Sequence, residues 1–214
     1  MRLSLFGATG DIGRFVLELA LAAGHDVTAL TRDPGKLADP AAGDRLRVVI
    51  GDIEDYGAVA GVVAGSDSVI SALGPTSNTA DQVELFERWA GHLVRAVEAL
   101  PSTRVVILSG AAVDVPGEHK RLMDRIASAV VRIAVRHVVA AKQVEFDVVS
   151  RSRLEWIAVR PPRVVPGPRT GRYQAGMDLR LGPRSRINQL DLAEFLLRQA
   201  SDDTWLRRAP FVSS

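Results

Sequence analysis

Hydrophobic positions along this chain follow two patterns, short aliphatic runs and longer amphipathic stretches. Six β-strands are predicted from the aliphatic runs at residues 3–6, 27–30, 48–50, 68–72, 105–108 and 156–159. Helices are predicted between them at residues 12–23, 56–64, 81–100 and within 118–150. The first strands are nearly continuous in apolar residues, as is typical of parallel strands covered on both faces. The alternation predicts an α/β fold with a doubly wound, mostly parallel sheet and helices on both faces.

The character of the sequence changes after residue 159. Residues 160–190 are rich in proline, glycine and arginine, which predicts loops and short strands over the carboxyl edge of the sheet. Asp191 is expected to cap a last helix, and a short strand is expected near the terminal APFVSS. A chain of 214 residues without internal repeats fits one domain, residues 1–214, with a small substrate-side segment.

Composition and charge narrow the function classes. A net charge of +2 is too small to indicate a nucleic-acid partner, and no apolar run approaches the length that spans a membrane. The chain has 0 cysteines and no histidines or carboxylates at metal-ligand spacing, so no metal is expected. The N-terminus lacks the pattern of a signal peptide. We therefore expect a cytoplasmic protein, a monomer or small homo-oligomer, that acts on a small molecule.

Three glycines follow the first predicted strand and open the first predicted helix, in the sequence GATGDIG. Gly7, Gly10 and Gly13 permit a tight turn, close approach of the backbone to a pyrophosphate and close packing of helix on strand. Free N–H groups at the start of the helix would then face the phosphates. A turn without a ligand is the alternative, but the strand–loop–helix context favours a dinucleotide site. The other residues of this loop that are predicted to contact the cofactor are Thr9, Asp11 and Ile12.

The end of the second predicted strand, in TRDP, bears on which dinucleotide is bound. Sites for NAD place an acidic residue there for the ribose hydroxyls, whereas this chain presents Thr31 and Arg32 first. Because a guanidinium can bind a 2′-phosphate in a fork, the predicted cofactor is NADP, as NADPH. In the alternative, Arg32 is only an exposed loop residue and Asp33 turns inward. Further predicted cofactor contacts follow the third and fourth strands: Asp52, Ile53, Ala72, Leu73 and Gly74.

Six segments stand along the chain in the order GATGDIG, TRDP, GDIED, SALG, ILSGA and EWIAVRPPRV. In this order they resemble the atypical short-chain dehydrogenase/reductase family, which has an NAD(P)-binding Rossmann fold. The C-terminal segments LEWIAVRPPRVVPGPRTGRY and GPRSRINQLDLAEFLLR are most similar to the biliverdin-IX-beta reductase and NADPH-dependent flavin reductase type. The similarity is weakest at about residues 114–141, where a helical insert is expected.

One feature of the larger superfamily is missing, the tyrosine that donates a proton and stands four residues before a lysine. The chain has only Tyr56 and Tyr173, and Val138 occupies the position four before Lys142. Ketone chemistry needs a phenol of lowered pKa, so an ordinary alcohol dehydrogenase or epimerase is not expected. A conjugated hydride acceptor (a flavin, a quinone or a tetrapyrrole) fits better, because water can supply the proton and the protein mainly orients the reactants.

The resemblance implies three candidate catalytic residues, each with an alternative reading. Ser109 would stand beside the nicotinamide, unless its hydroxyl only satisfies the end of the strand. Arg163 replaces a histidine of the mammalian-type enzymes; it can bind an anionic group but cannot donate a proton, and a surface salt bridge is the alternative. Lys142 is expected near the nicotinamide ribose or on a solvated helix face. Pro161 completes the predicted cofactor contacts.

The predicted helix within residues 118–150 carries arginines at helical spacing. A helix packed on the core with a solvated basic face is the ordinary interpretation, and a basic rim that attracts anionic substrates is the alternative. His137 is expected as a partly exposed helical histidine or at the mouth of the pocket. The arginines concerned are Arg121, Arg125, Arg132 and Arg136.

Two functions from other classes stay open besides a reductase. A regulator of the NmrA-like kind would sense NADP without turnover, and a biosynthetic isomerase or reductase is a third possibility. The absent tyrosine is compatible with both the reductase and the regulator. The segment RPPRVVPGPRTGRY favours the reductase, since the resemblance implies that it builds the acceptor side of the cleft.

Overall fold

A six-stranded parallel sheet forms the centre of the computed structural model, which describes residues 1–37, 40–100, 103–118 and 134–214. Its strands are β1 (Arg2–Phe6), β2 (Asp26–Thr31), β3 (Leu46–Ile50), β4 (Ser68–Ser71), β5 (Arg104–Leu108) and β6 (Glu155–Val159). They pair in the order β3-β2-β1-β4-β5-β6. This order is that of a doubly wound Rossmann-type sheet, so the predicted fold class is confirmed.

Helices cover both faces of this sheet. The described part of the chain contains α1 (Gly13–Ala22), α2 (Tyr56–Val63), α3 (Asp81–Glu98), α4 (Arg136–Arg151) and α5 (Gln189–Gln199). Helices α1 and α5 pack on one face, and α2, α3 and α4 pack on the other. Short 3-10 helices lie at Pro34–Leu37, Pro40–Arg45 and Asp203–Trp205.

Each central strand contributes side chains to two separate apolar cores, which explains its continuous run of aliphatic residues. In β5, Val106 points to the α1–α5 core, while Val105 and Ile107 point to the opposite core. Successive strand residues face opposite sides of a sheet, and here neither side is left to water. Phe6 packs on Trp89 of α3 with ring centroids 4.5 Å apart. This contact connects β1 to the second core, which is the one covered by α2, α3 and α4.

A glycine two residues after the end of helix α1 terminates it. Gly24 has a φ of 79°, in the left-handed region that a side chain disfavours. The Gly24 N–H donates to the Leu21 carbonyl at 3.0 Å and the His25 N–H donates to the Ala20 carbonyl at 3.0 Å. This pair of bonds is a Schellman motif, which satisfies the last carbonyls of α1 and turns the chain into β2.

Residues 160–190 form loops and short strands, as predicted. Strand β7 (Arg163–Val165) pairs in parallel with β9 (Arg186–Asn188), and β8 (Gln174–Gly176) pairs antiparallel with β10 (Phe211–Ser213). The terminal strand is thereby confirmed. Arg160 is the first residue after β6, and it forms a β-bridge with Phe211 of β10. The two strand pairs therefore lie beyond the carboxyl end of β6.

The predicted cap of the last helix is wrong by three residues. Asn188 is the N-cap of α5, and its side-chain oxygen accepts from the Asp191 N–H at 2.8 Å. Both residue types favour an N-cap, but Asp191 lies fully buried in the first turn, where it binds the loop at residues 170–171 instead.

The long helix predicted within residues 118–150 is represented by α4 in the described residues. Most of the predicted insert at 114–141 lies outside them, together with Arg121, Arg125 and Arg132. In the part of the chain that the structure describes, no helix is long and apolar enough to cross a membrane.

Candidate functional site

The carboxyl ends of β1 and β4 meet at the point where the order of the sheet reverses. Strand β1 lies between β2 and β4. After β1 the chain forms one half of the sheet with β2 and β3, and it then crosses over to form the other half with β4, β5 and β6. Open α/β sheets bind ligands in the crevice at such a switch point. The Ala72 N–H donates to the Phe6 carbonyl at 2.9 Å, which holds the loops after β1 and β4 against each other.

The glycine loop after β1 has no room for side chains at two of its three glycines. Gly7 has a φ of 83°, and a Cβ there would lie 2.9 Å from the Ala72 carbonyl carbon. A Cβ on Gly13 would lie 1.9 Å from the Gly7 carbonyl oxygen, so the backbone itself excludes it. A Cβ on Gly10 would meet only the Gly7 oxygen, at 3.3 Å. Packing therefore explains Gly7 and Gly13, and Gly10 is the one whose position is open toward a ligand.

Helix α1 begins without a side-chain cap. Its N-cap is Ile12, which makes no side-chain hydrogen bond. Among the residues that the structure describes, no acceptor binds the N–H groups of Asp11, Ile12 and Gly13. Thr9 and Asp11 are exposed at the tip of the loop. Three free donors at the positive end of a helix dipole fit the oxygens of a pyrophosphate.

The turn after β2 separates the roles of Arg32 and Asp33. The Asp33 carboxylate accepts from the Gly35 N–H at 3.1 Å and lies 3.8 Å from the Lys36 ammonium, so both of its partners are in the same turn. Thr31 is buried, and its hydroxyl bonds to the main chain of Asp33. The Arg32 side chain is 77% exposed, with its guanidinium 3.8 Å from the Asp52 carboxylate. Arg32 and Asp33 are both exposed at this edge of the crevice, and Asp33 differs in that its carboxylate is hydrogen-bonded within its own turn.

The loop after β3 is held by its own hydrogen bonds. Asp52 accepts from the Glu54 N–H at 3.0 Å through one oxygen and approaches Arg32 with the other. The Ile53 side chain packs on the second core, and His92 Nδ1 of α3 lies 3.2 Å from the Ile53 carbonyl oxygen. Both predicted cofactor residues therefore stand at the same edge as Arg32.

Two serine hydroxyls stand without partners at the ends of β4 and β5. The Oγ atoms of Ser71 and Ser109 are buried, and neither has a hydrogen-bond partner in the described residues. Ser109 therefore does not satisfy the end of its strand through its hydroxyl; its main-chain N–H donates to the Val159 carbonyl at 2.8 Å. Buried hydroxyls without partners are rare in folded proteins, so both are available to a ligand. Sequence reasoning missed Ser71, although a hydroxyl that ends the run SVIS was a visible signal.

Lys142 is buried, which makes the solvated alternative wrong. Its ammonium donates to the Leu73 carbonyl at 3.0 Å and forms an ion pair with Glu145. The other oxygen of Glu145 accepts from the Trp89 indole N–H at 3.0 Å. Leu73 lies in the loop that follows β4 at the crevice, so the buried pair of Lys142 and Glu145 contacts the wall of the crevice. Glu145 was missed because a lysine and a glutamate three residues apart on a helix usually form an exposed pair.

The other candidate residues lie around the same end of the sheet. Arg163, the first residue of β7, is exposed and has no carboxylate partner among the residues described, which disfavours the surface salt bridge. The Pro161 carbonyl accepts from the Ala111 N–H at 3.0 Å and joins the loops after β5 and β6. His137 is half-buried in the first turn of α4, with its N–H on the Asn78 side chain at 2.9 Å.

The substrate-side segment is anchored by Asp191. The Thr170 and Gly171 N–H groups donate to its carboxylate at 2.8 and 2.9 Å, and the Asn188 amide donates at 2.6 Å. Burial by itself would raise the pKa of Asp191, but these hydrogen bonds, with one from the Thr170 hydroxyl, outweigh it and hold the pKa below its ordinary value. The carboxylate is therefore charged and fixes the loop at 170–171 to α5.

The two tyrosines lie in different surroundings. Burial raises the pKa of Tyr173, whose ring packs edge-on against Phe195 at 5.7 Å. Tyr56 is on α2, and its ring centroid lies 4.1 Å from the Arg95 guanidinium carbon and beside the His92 ring. Over the described ranges, no group of three or more His, Asp or Glu side chains is placed to hold a metal ion.

A family and several curated relatives match this sequence. The NAD(P)H-binding family matches residues 7–203. The isoflavone reductase homolog IRL of Zea mays is 33% identical over 104 residues, which are 44% of this chain and 33% of that protein. The chain thus spans about a third of the length of that relative.

Several solved structures share the fold over nearly the whole chain. A Burkholderia pseudomallei protein described as exported is 30% identical with a TM-score of 0.78, covering 100% of both chains. A Streptococcus pneumoniae protein described as an NADH-flavin reductase is 22% identical with a TM-score of 0.79, covering 100% of this chain and 99% of that one. ChuY, an anaerobillin reductase of Escherichia coli O157:H7, is 20% identical with a TM-score of 0.77, covering 99% and 96%.

Proposed function

Because the chain belongs to the NAD(P)H-binding family, we propose that it is an NADPH-dependent reductase that transfers a hydride to a conjugated acceptor such as a flavin, a quinone or a tetrapyrrole. The observation that carries the proposal is the uncapped start of α1, whose free N–H groups follow a glycine loop at the switch point of the sheet. Proteins of this fold include one described as a flavin reductase and one described as an anaerobillin reductase, which supports the acceptor class.

The preference for NADPH rests on the turn after β2. A cofactor with a 2′-phosphate needs a cation where NAD-specific sites have a carboxylate. Arg32 is exposed at this edge, while the Asp33 carboxylate is held by Gly35 and Lys36. A guanidinium can hold the phosphate by two parallel hydrogen bonds.

When bound, the cofactor supplies the hydride; this chain's residues bind and orient the two reactants. We assign the nicotinamide carboxamide to the Ser109 hydroxyl, which is buried and lacks a partner among the described residues. We assign anionic groups of the acceptor to Arg163, which no described carboxylate neutralises. With no tyrosine four residues before a lysine in the chain, we take the proton from water, so orientation is the main catalytic contribution.

The decisive experiment combines a binding titration with an oxidation assay. NADPH and NADH are titrated by fluorescence, and loss of NADPH absorbance is then followed with FMN, a quinone and a bilin. We expect tight NADPH binding and turnover of at least one acceptor. The Gly10→Val variant is the control, because its side chain occupies the path of the pyrophosphate; its NADPH affinity should fall at least tenfold, about 1.4 kcal/mol.

The outcomes separate two functions and also test the assignment of the glycine loop. Binding of NADPH without oxidation by any acceptor would favour the NADP-sensing regulator, since the absent tyrosine fits that function as well. Oxidation with a flavin or a bilin supports the reductase. Unchanged NADPH affinity in folded Gly10→Val would refute the assignment of the loop.

A further inference from the structure

We propose that Glu145 is a positioning residue: through Lys142 it holds the Leu73 carbonyl toward α4 and so presents the Gly74 N–H to the nicotinamide half of the cofactor. The proposal rests on the proposed function, because it assumes that a dinucleotide lies in the crevice at the ends of β1 and β4. In doubly wound folds the second mononucleotide is bound by the half of the sheet that begins with β4. Leu73 and Gly74 directly follow that strand and its neighbour Ala72.

The ammonium of Lys142 is fixed from three sides. It is paired with Glu145, which is 0% exposed, and it donates to the Leu73 carbonyl at 3.0 Å. The Phe86 ring of α3 lies against it, with the centroid 5.1 Å away. The far oxygen of Glu145 is bound by the indole of Trp89, also 0% exposed. Helices α3 and α4 therefore hold one ammonium group at one place, directly behind the loop that follows β4.

A stabilising role alone does not account for this arrangement. Burying two charges costs desolvation that their attraction roughly cancels, and apolar side chains of similar size fill such a site as well or better. What an apolar pair could not do is bind the Leu73 carbonyl. The ion pair thus serves a backbone group of the crevice wall.

The orientation of the Leu73 carbonyl determines that of the next N–H. The described residues contain no cis peptide bond, so the Gly74 N–H points opposite to the Leu73 carbonyl and away from Lys142. No residue of the described chain accepts from this N–H, and a Cβ placed on Gly74 would meet no atom within 4 Å. A donor without a partner, next to open space at the ligand edge of the sheet, suits a ribose or phosphate oxygen.

The test uses four variants of the Lys142–Glu145 pair in the full chain, one control variant and two measurements. Lys142→Met removes the donor, and Glu145→Gln removes the charge but keeps an oxygen for Trp89. The double variant Lys142→Met/Glu145→Gln restores neutrality in the buried site, and Lys142→Arg keeps a cation that can reach Leu73. For each protein we measure the melting temperature and the dissociation constant of NADPH by fluorescence titration, so the result does not depend on turnover.

We expect both single variants to lower the melting temperature and to weaken NADPH binding at least fivefold, about 1 kcal/mol. The double variant should regain most of the melting temperature and stay weak for NADPH, because the Leu73 carbonyl is still not held. Lys142→Arg should recover most of the affinity. Arg151→Met, on the same helix with a side chain that is 81% exposed, is the matched control and should change neither quantity.

Two results would overturn the proposal. If the double variant regains NADPH affinity together with its melting temperature, the pair only stabilises the fold. If Lys142→Met binds NADPH as wild type does, the Gly74 N–H is not set by the pair. Both results leave the proposed reductase intact, whereas a wild-type protein that binds no nicotinamide cofactor would end both proposals.

Discussion

The two proposed sides of the crevice, a cofactor side around residues 7–13 and a substrate side at residues 160–191, differ in which groups build them. On the cofactor side, around Gly7–Gly13, the groups that face a ligand are backbone N–H donors, and packing excludes side chains at two glycines. On the substrate side, loops are anchored by two fully buried charged side chains, Arg160 and Asp191. Arg160 binds both oxygens of Glu118 at 2.9 Å and donates to the Ala209 carbonyl at 2.8 Å.

This difference determines what each side tolerates. A backbone-built site fails when a Cβ is added, because main-chain atoms cannot move aside. A side-chain-anchored loop accepts an added Cβ where space is open, but it loses its shape when an anchor is neutralised, since a buried charge is left without its partner. An added Cβ should therefore destabilise the cofactor side strongly and leave the substrate side nearly unchanged.

The largest expected effect is that of Gly13→Ala. Its Cβ would lie 1.9 Å from the Gly7 carbonyl oxygen, so α1 must move away from β1. We expect a loss of about 3 kcal/mol in the free energy of unfolding, at the upper end for overpacking. The matched control is Gly182→Ala on the substrate side, where no atom lies within 4 Å and the change should stay within about 0.5 kcal/mol. Urea denaturation measures both; equal effects would remove the distinction between the two sides.

The same contrast explains which features the sequence could predict. The glycine loop and its flanking strands are local, so the spacing of Gly7, Gly10 and Gly13 in GATGDIG was enough to place them. The strands of the sheet were predicted to within two residues because each contains a short run rich in aliphatic residues. Fold and loop follow from short-range chemistry.

The substrate side could not be predicted in the same way. Its anchors act over long sequence separations: Arg160 pairs with Glu118, and Asp191 binds the main chain at Thr170. Asn188 and Asp191 are both good N-cap residues, and only the tertiary position of the loop decides between them. The buried pair of Lys142 and Glu145 has the spacing of an ordinary surface pair, and its burial follows from the packing of α3 on α4.

The second prediction neutralises a substrate-side anchor. Asp191→Asn replaces one acceptor oxygen by an amide donor that faces other donors, which should cost about 2 kcal/mol at neutral pH. Because the folded pKa lies below the ordinary 3.8, the stabilisation is complete above that pH and is lost as the pH falls through the folded pKa. The difference in the free energy of unfolding between wild type and variant, measured by urea denaturation, should thus become smaller below about pH 4. A gap of equal size at all pH values would show that the charge does not hold the loop.

The third prediction concerns the side chain that gives the cofactor side its expected selectivity. Arg32→Ala should weaken NADPH binding and leave NADH binding nearly unchanged, shifting the preference about tenfold, as expected for a charge-assisted contact. The Arg32 side chain is 77% exposed, so the fold should keep its stability. Arg184→Ala, another exposed arginine, controls for the loss of one positive charge. If both cofactors weaken alike, or wild type already prefers NADH, Arg32 does not bind the 2′-phosphate.

The smallest expected effect is that of Arg163→Ala, and it tests whether the two sides act independently. An exposed arginine contributes at most about 1 kcal/mol to an ion pair, so the KM for FMN should rise about fivefold or less. Riboflavin has the same ring system without the phosphate, so its KM should not change. The ratio of NADPH to NADH affinity should also stay as in wild type, because Arg163 begins β7 whereas Arg32 follows β2. A change in cofactor preference in Arg163→Ala, or in the FMN KM of Arg32→Ala, would mean that one anion site serves both reactants. The division between a backbone-built cofactor side and a side-chain-anchored acceptor side would then be wrong.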